Sequence, residues 1–140
     1  MFSALDISTS ALVAQRMRMT AIASNLANMT TPLGEDGEGT PYQPRFVVFQ
    51  TDTSVGRNGA AGVRVSSVET DDQAEPKWKY QPGHPLAKKD GPHAGFVAYP
   101  NINMMTEMTD ALEASRAYEA NLGAMEITKD LAQQTLRILA

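Results

Sequence analysis

The sequence predicts an α+β chain in which long N- and C-terminal helices pair as an antiparallel coiled coil, with a small central β-rich module between them. Two observations carry this. The first 30 residues place Leu5, Ser8, Leu12, Gln15, Met19, Ile22, Leu26 and Met29 at heptad spacing, and the last 37 do the same with Met104, Met108, Ala111, Ser115, Tyr118, Leu122, Met125, Lys129, Ala132, Leu136 and Leu139. The middle of the chain instead alternates β-branched and polar residues between Gly- and Pro-rich turns.

The elements follow in order. Ser3 and Asp6 form a capping-box pattern, so a helix is expected from Ala4 to Met29. Thr30, Thr31 and Pro32 end it, because proline disfavours the α conformation in the residue before it. Leu33 to Thr40 alternates glycines with carboxylates and reads as a solvated acidic loop. RFVVFQT from Arg45 and GVRVSSVET from Gly62 read as strands, with Asn58-Gly59 between them suited to a type I′ turn. Lys77–Tyr80 and Gly95–Tyr99 are further short strands flanking the Pro/Gly-rich segment from Gln81 to Pro92. Pro100 closes the last strand, and Asn103 caps a helix with Glu107 and Asp110 in its first turns. The expected division is 1–31, N-terminal helix of an inner coiled-coil domain; 32–102, central β module with loops; and 103–140, C-terminal helix of the same inner domain.

Helices of about 40 and 50 Å are rods that cannot bury their stripes alone. An antiparallel pair sets Met29 near Met104 and Leu5 near the last third of the second helix, and the apolar surface left over calls for another subunit. Leu5, Leu12, Met19, Ile22, Leu26, Met29, Met104, Met108, Tyr118, Leu122, Met125, Leu136 and Leu139 are therefore the candidate assembly interface. In that pairing Arg16 and Arg18 lie level with Glu113 and Glu119, charges able to select register.

Composition narrows the function classes. A net charge of −4 gives no general attraction to nucleic acid or anionic lipid. The chain has no cysteine, so disulfide frameworks and thiolate metal sites are excluded. No basic n-region with an unbroken apolar stretch marks a cleaved signal peptide, and no run approaches the roughly 20 apolar residues of a membrane span. On these grounds alone the chain reads as soluble and cytoplasmic. His84 and His93 lack partners at metal-ligand spacing, Asp71-Asp72 sits in a turn without apolar shielding, and no phosphate loop, nucleophile elbow or zinc-protease pattern occurs. No catalytic residue, cofactor or metal is expected.

Several segments resemble one family. IASNLANMTTP from Ile22 to Pro32 is similar to the Asn-rich end of the N-terminal helix shared by bacterial flagellar rod and hook proteins, and Pro41-Tyr42 followed by RFVVF resembles the strand after it. Pro82-Gly83-His84-Pro85, the stretch GFVAYPN from Gly95 and SRAYEAN from Ser115 extend the likeness over nearly the whole chain in the expected order. Met29, the pair Thr30-Thr31 and the insert from Leu33 to Gly39 depart from the family pattern.

The resemblance implies a non-enzymatic structural subunit of the proximal rod of the flagellar basal body, transmitting torque from rotor to distal rod and hook. It implies export through the flagellar type III apparatus without signal cleavage and assembly in the periplasmic space, which replaces the cytoplasmic reading. The implied partners are other copies, other rod proteins in a helical array and the export apparatus, with no nucleic acid and no small-molecule substrate. Another rod or hook-like axial subunit, or a cytoplasmic coiled-coil adaptor, is the alternative.

Overall fold

The structure, a computed structural model, describes residues 2–33, 40–56 and 59–139. Its elements are α1 (Phe2–Asn28), β1 (Arg45–Asp52), β2 (Gly62–Thr70), β3 (Lys77–Tyr80), β4 (Phe96–Tyr99) and α2 (Met104–Leu139), an α+β chain.

The helix limits differ from expectation at α1. The helix begins at Phe2, so Ser3 lies inside its first turn and not ahead of it as expected. At the other end, Thr31 N–H bonds to the Asn28 carbonyl at 3.0 Å and closes a turn just before Pro32, so the helix stops one residue earlier than expected. For α2, the Asn103 side chain accepts from Met105 N–H at 3.0 Å while its carbonyl accepts from Glu107 N–H at 3.0 Å, which is N-cap geometry. Gly123 stays inside α2.

The strands form two separate antiparallel hairpins. In the first, Arg45 faces Thr70 and Asp52 faces Gly62, with a slip between Val48 and Phe49 that leaves Ser66 as the extra residue of a bulge. Asn58, half of the expected turn, and residues 34–39 of the acidic loop lie outside the described residues. In the second hairpin Lys77 faces Tyr99 and Tyr80 faces Phe96. Gly95 is expected in β4 but lies just before it at a φ of 81°, and a Cβ there would meet the Tyr80 ring at 2.9 Å.

Neither hairpin is stable alone, and β1 and β2 both lie against α1. Gly62 makes the approach possible: a Cβ there would sit 2.7 Å from Ser10 Oγ, the atom that accepts from Val63 N–H at 3.1 Å. Among the described elements α2 packs on α1 alone, and the pair is antiparallel, since Asn25 meets Glu107 and Arg18 meets Glu113. The buried apolar set is thin: Ala14, Ala21, Ile22, Tyr42, Val97, Ala98, Ile102 and Ala114.

Candidate assembly interface

The stripe of α2 that turns towards α1 consists of Glu107, Ala111, Ala114, Tyr118, Asn121, Met125, Thr128 and Ala132, all buried or half-buried and spaced alternately four and three apart. Ala111, Tyr118, Met125 and Ala132 belong to the expected seam, but every second position moves one residue towards the N-terminus. The sequence pattern favours the largest apolar side chains, whereas close helix contact selects small ones. Ala114 is 0% exposed at that contact. Met104, Met108, Leu122 and Leu136 are consequently exposed in the single chain, and Leu139 lies at the helix end without a described side chain. On α1, Leu5, Leu12, Met19, Leu26 and Met29 are half-buried and Ile22 is buried.

A second apolar row faces away from α1. Met105 (70% exposed), Met108 and Leu112 start it, and Ile127, Leu131 and Ile138 (85% exposed) continue it near the C-terminus. Because Asn25 is level with Glu107, α1 begins about level with residue 130, so the last turns of α2 project past it.

Arg18 bridges Glu113 at 3.0 Å and Asp110 at 3.4 Å. Asp110 was absent from the sequence-based charge set, although it lies one helical turn from Glu113. Arg16 and Glu119 are exposed and form no ion pair among the described residues.

Asn25 belongs to the Asn-rich motif at the end of the N-terminal helix, and the structure gives it a role that the motif alone does not. It is 2% exposed, and all four of its amide positions are used. Its Oδ1 accepts from Arg45 N–H at 2.8 Å and from the Tyr42 hydroxyl at 3.1 Å. Its Nδ2 donates to the Arg45 carbonyl at 2.8 Å and to Glu107 Oε2 at 3.2 Å. By meeting both backbone groups of Arg45, the side chain acts as a neighbouring strand would, and it joins α1, the entry to β1 and the start of α2. The available signal was an Asn beside the buried Ala21 and Ile22, one turn along the helix.

His93 stacks on Trp78 with ring centroids 4.1 Å apart, and His84 Nδ1 accepts from Leu86 N–H at 3.1 Å. Both histidines shape their loop. No helix among the described residues is long and apolar enough to cross a membrane.

Residues 5–32 match the family model described as flagella basal body rod protein, and residues 93–138 match that of the flagellar basal body rod FlgEFG protein C-terminal. The flagellar basal-body rod protein FlgC of Salmonella typhimurium is 41% identical over 133 residues, covering 95% of this chain and 93% of the relative. FlgC of Bacillus subtilis is 36% identical over 150 residues and that of Borreliella burgdorferi 34% over 155, each covering at least 97% of both chains. The chain belongs to the FlgC family of flagellar basal-body rod proteins. It is a structural subunit of the flagellar rod and not an enzyme, and it assembles with other rod components. The cytoplasmic adaptor reading falls with this result.

One titratable group in this FlgC-family chain is displaced at the interface. Burial pushes the Glu107 carboxyl above its ordinary value, the neighbouring Asp110 charge adds to this, and the Asn25 donor opposes it. A carboxyl raised on folding contributes stability that is present below its unfolded pKa and lost as pH rises through its folded one. Glu107→Gln should therefore unfold at a higher temperature than the parent at neutral pH, with the gap closing as pH falls through the acid carboxylate range. Thermal melts followed by circular dichroism at several pH values check this; a constant gap across the series contradicts it.

Proposed function

We propose that this chain builds the proximal rod and passes torque from the rotor to the distal rod and hook. In this reading 1–31 and 103–140 form an inner coiled-coil layer, 32–102 an outer β-rich layer, and the subunits stand in a helical array in the periplasmic space. The chain reaches that site through the flagellar export apparatus without loss of a signal peptide. The observation that supports this is the apolar surface α2 keeps after pairing with α1. Met104, Met108, Leu122 and Leu136, with the row from Met105 to Ile138, form a long surface that needs neighbours.

The exposure of Leu122 makes a clean test, because a carboxylate there costs the single chain little. Leu122→Asp should leave the helix content of purified protein unchanged while abolishing its recovery in detergent-extracted basal bodies and abolishing swimming. Normal recovery of the variant would show that Leu122 faces solvent in the rod.

A further inference from the structure

An acidic turn precedes the β3–β4 hairpin, and a pair of lysines stands in the loop at its other end. Asp90 lies beside those lysines, and Lys77, nearest the acidic turn, is turned to the Ile102 carbonyl at 3.2 Å. At the end that leads into β3, Glu69, Asp71, Asp72 and Glu75 are all exposed, and no Lys or Arg lies between Val65 and Pro76. This acidic turn is held in shape: Asp71 N–H bonds to the Pro44 carbonyl at 2.9 Å, Thr70 Oγ1 donates to Asp72 at 2.8 Å, and Ala74 N–H returns to the Asp71 carbonyl at 3.2 Å. At the other end, the loop after β3 brings Lys88 and Lys89 to a groove of about 520 Å³ flanked by Pro82, His84 and Pro85. That loop is also fixed. Gly95 N–H bonds to the Lys88 carbonyl at 2.8 Å, Lys88 N–H to the Phe96 carbonyl at 3.1 Å, and Lys88 Nζ lies 4.8 Å from the centre of the Trp78 ring.

We propose that the lysine-lined groove of one copy receives the acidic turn 69–75 of a second copy of this chain, a head-to-tail contact between the outer segments of neighbouring subunits. The inference rests on the rod reading and adds to it a named lateral surface. Within one copy the two ends are held apart by β3, whose four residues span about 10 Å. Among the described residues no ion pair links any of these lysines to any of these carboxylates. Between copies a contact made by two different patches passes from each subunit to the next, forming a ring or a helical array according to the rotation between them, whereas a self-complementary patch stops at a dimer. Both surfaces are already ordered by backbone hydrogen bonds, so little conformational freedom is lost on contact. The opposed charges favour this register over like-with-like docking.

Cysteine pairs and charge swaps test the contact in purified basal bodies. Lys89→Cys and Asp72→Cys carried on two co-expressed chains should crosslink into a dimer on mild oxidation, and both changes on one chain should give a ladder of multimers; the native chain has no cysteine to interfere. Lys88→Glu with Lys89→Glu should lower the amount of the chain in basal bodies at least tenfold, and adding Asp71→Lys with Asp72→Lys should restore at least half of it. An internally crosslinked monomer, or parent-like incorporation of the lysine variant, overturns the proposal. So does loss without rescue accompanied by lost binding to phosphatidylglycerol vesicles, which would assign the groove to an anionic surface. In each case the unsubstituted chain is still recovered in basal bodies; its absence there would instead refute the rod reading.

Discussion

Asn25→Leu should destabilise the chain by about 2 kcal/mol or more, because four hydrogen bonds of one buried amide are lost in one step, each contributing about 0.5–1.5 kcal/mol. The Tyr42 hydroxyl keeps Ser24 Oγ as a partner at 3.0 Å. The Arg45 N–H and carbonyl, the Tyr42 hydroxyl and the Glu107 carboxylate all meet this single amide. Leucine has the same number of side-chain heavy atoms but bulkier methyl groups, so overpacking at this buried position adds to the loss of the hydrogen bonds. Against a total stability of about 5–15 kcal/mol for a domain of this size, the change is large. Urea titration monitored by tyrosine and tryptophan fluorescence should show the midpoint falling sharply. Asn25→Asp should be nearly as damaging at neutral pH, since it keeps the acceptor but points a second oxygen at the Arg45 carbonyl and the Glu107 carboxylate. A loss below about 1 kcal/mol would mean that water replaces the amide and that the three segments are not joined through it.

The second large effect is expected at Ala114. No part of its side chain is exposed, and it lies where α2 comes against α1. Ala114→Leu adds three carbon atoms to a contact without room for them, costing about 1–3 kcal/mol through overpacking. The helices must separate or slide to accept it, and either movement breaks the short contact between Arg18 and Glu113. Ala120→Leu, at an exposed position of the same helix, serves as the control and should leave the melting temperature unchanged. If both variants melt alike, the close contact is not at Ala114.

The terminal helices were legible because their signals are local: heptad spacing, an Asn cap and a proline stop each act within a few residues. The strand runs were legible for the same reason, and β2 has the limits its alternation suggests. Whether four strands form one module or two hairpins depends on contacts between distant segments, which alternation does not encode. The face of α2 against α1 was misjudged by one residue at alternate positions. Hydropathy marks Leu122 and Met108 as core, while the helix contact is filled by Ala114, Asn121 and Thr128. The Asn-rich motif around Asn25 was legible but its role was not, because a polar residue on a helix is ordinarily solvated and only the fold brings Arg45 and Glu107 to this amide.

The projection of α2 past the start of α1 makes the two ends of the molecule unlike. At one end both helices are present and the Asn25 amide ties them together; at the other a single helix carries Leu131, Leu136 and Ile138 uncovered. In an array of such subunits, an incoming copy that covers one projecting end supplies another in its turn. If subunits stack in this way, the two ends of the array present different surfaces, one a tied pair of helices and the other a bare helix.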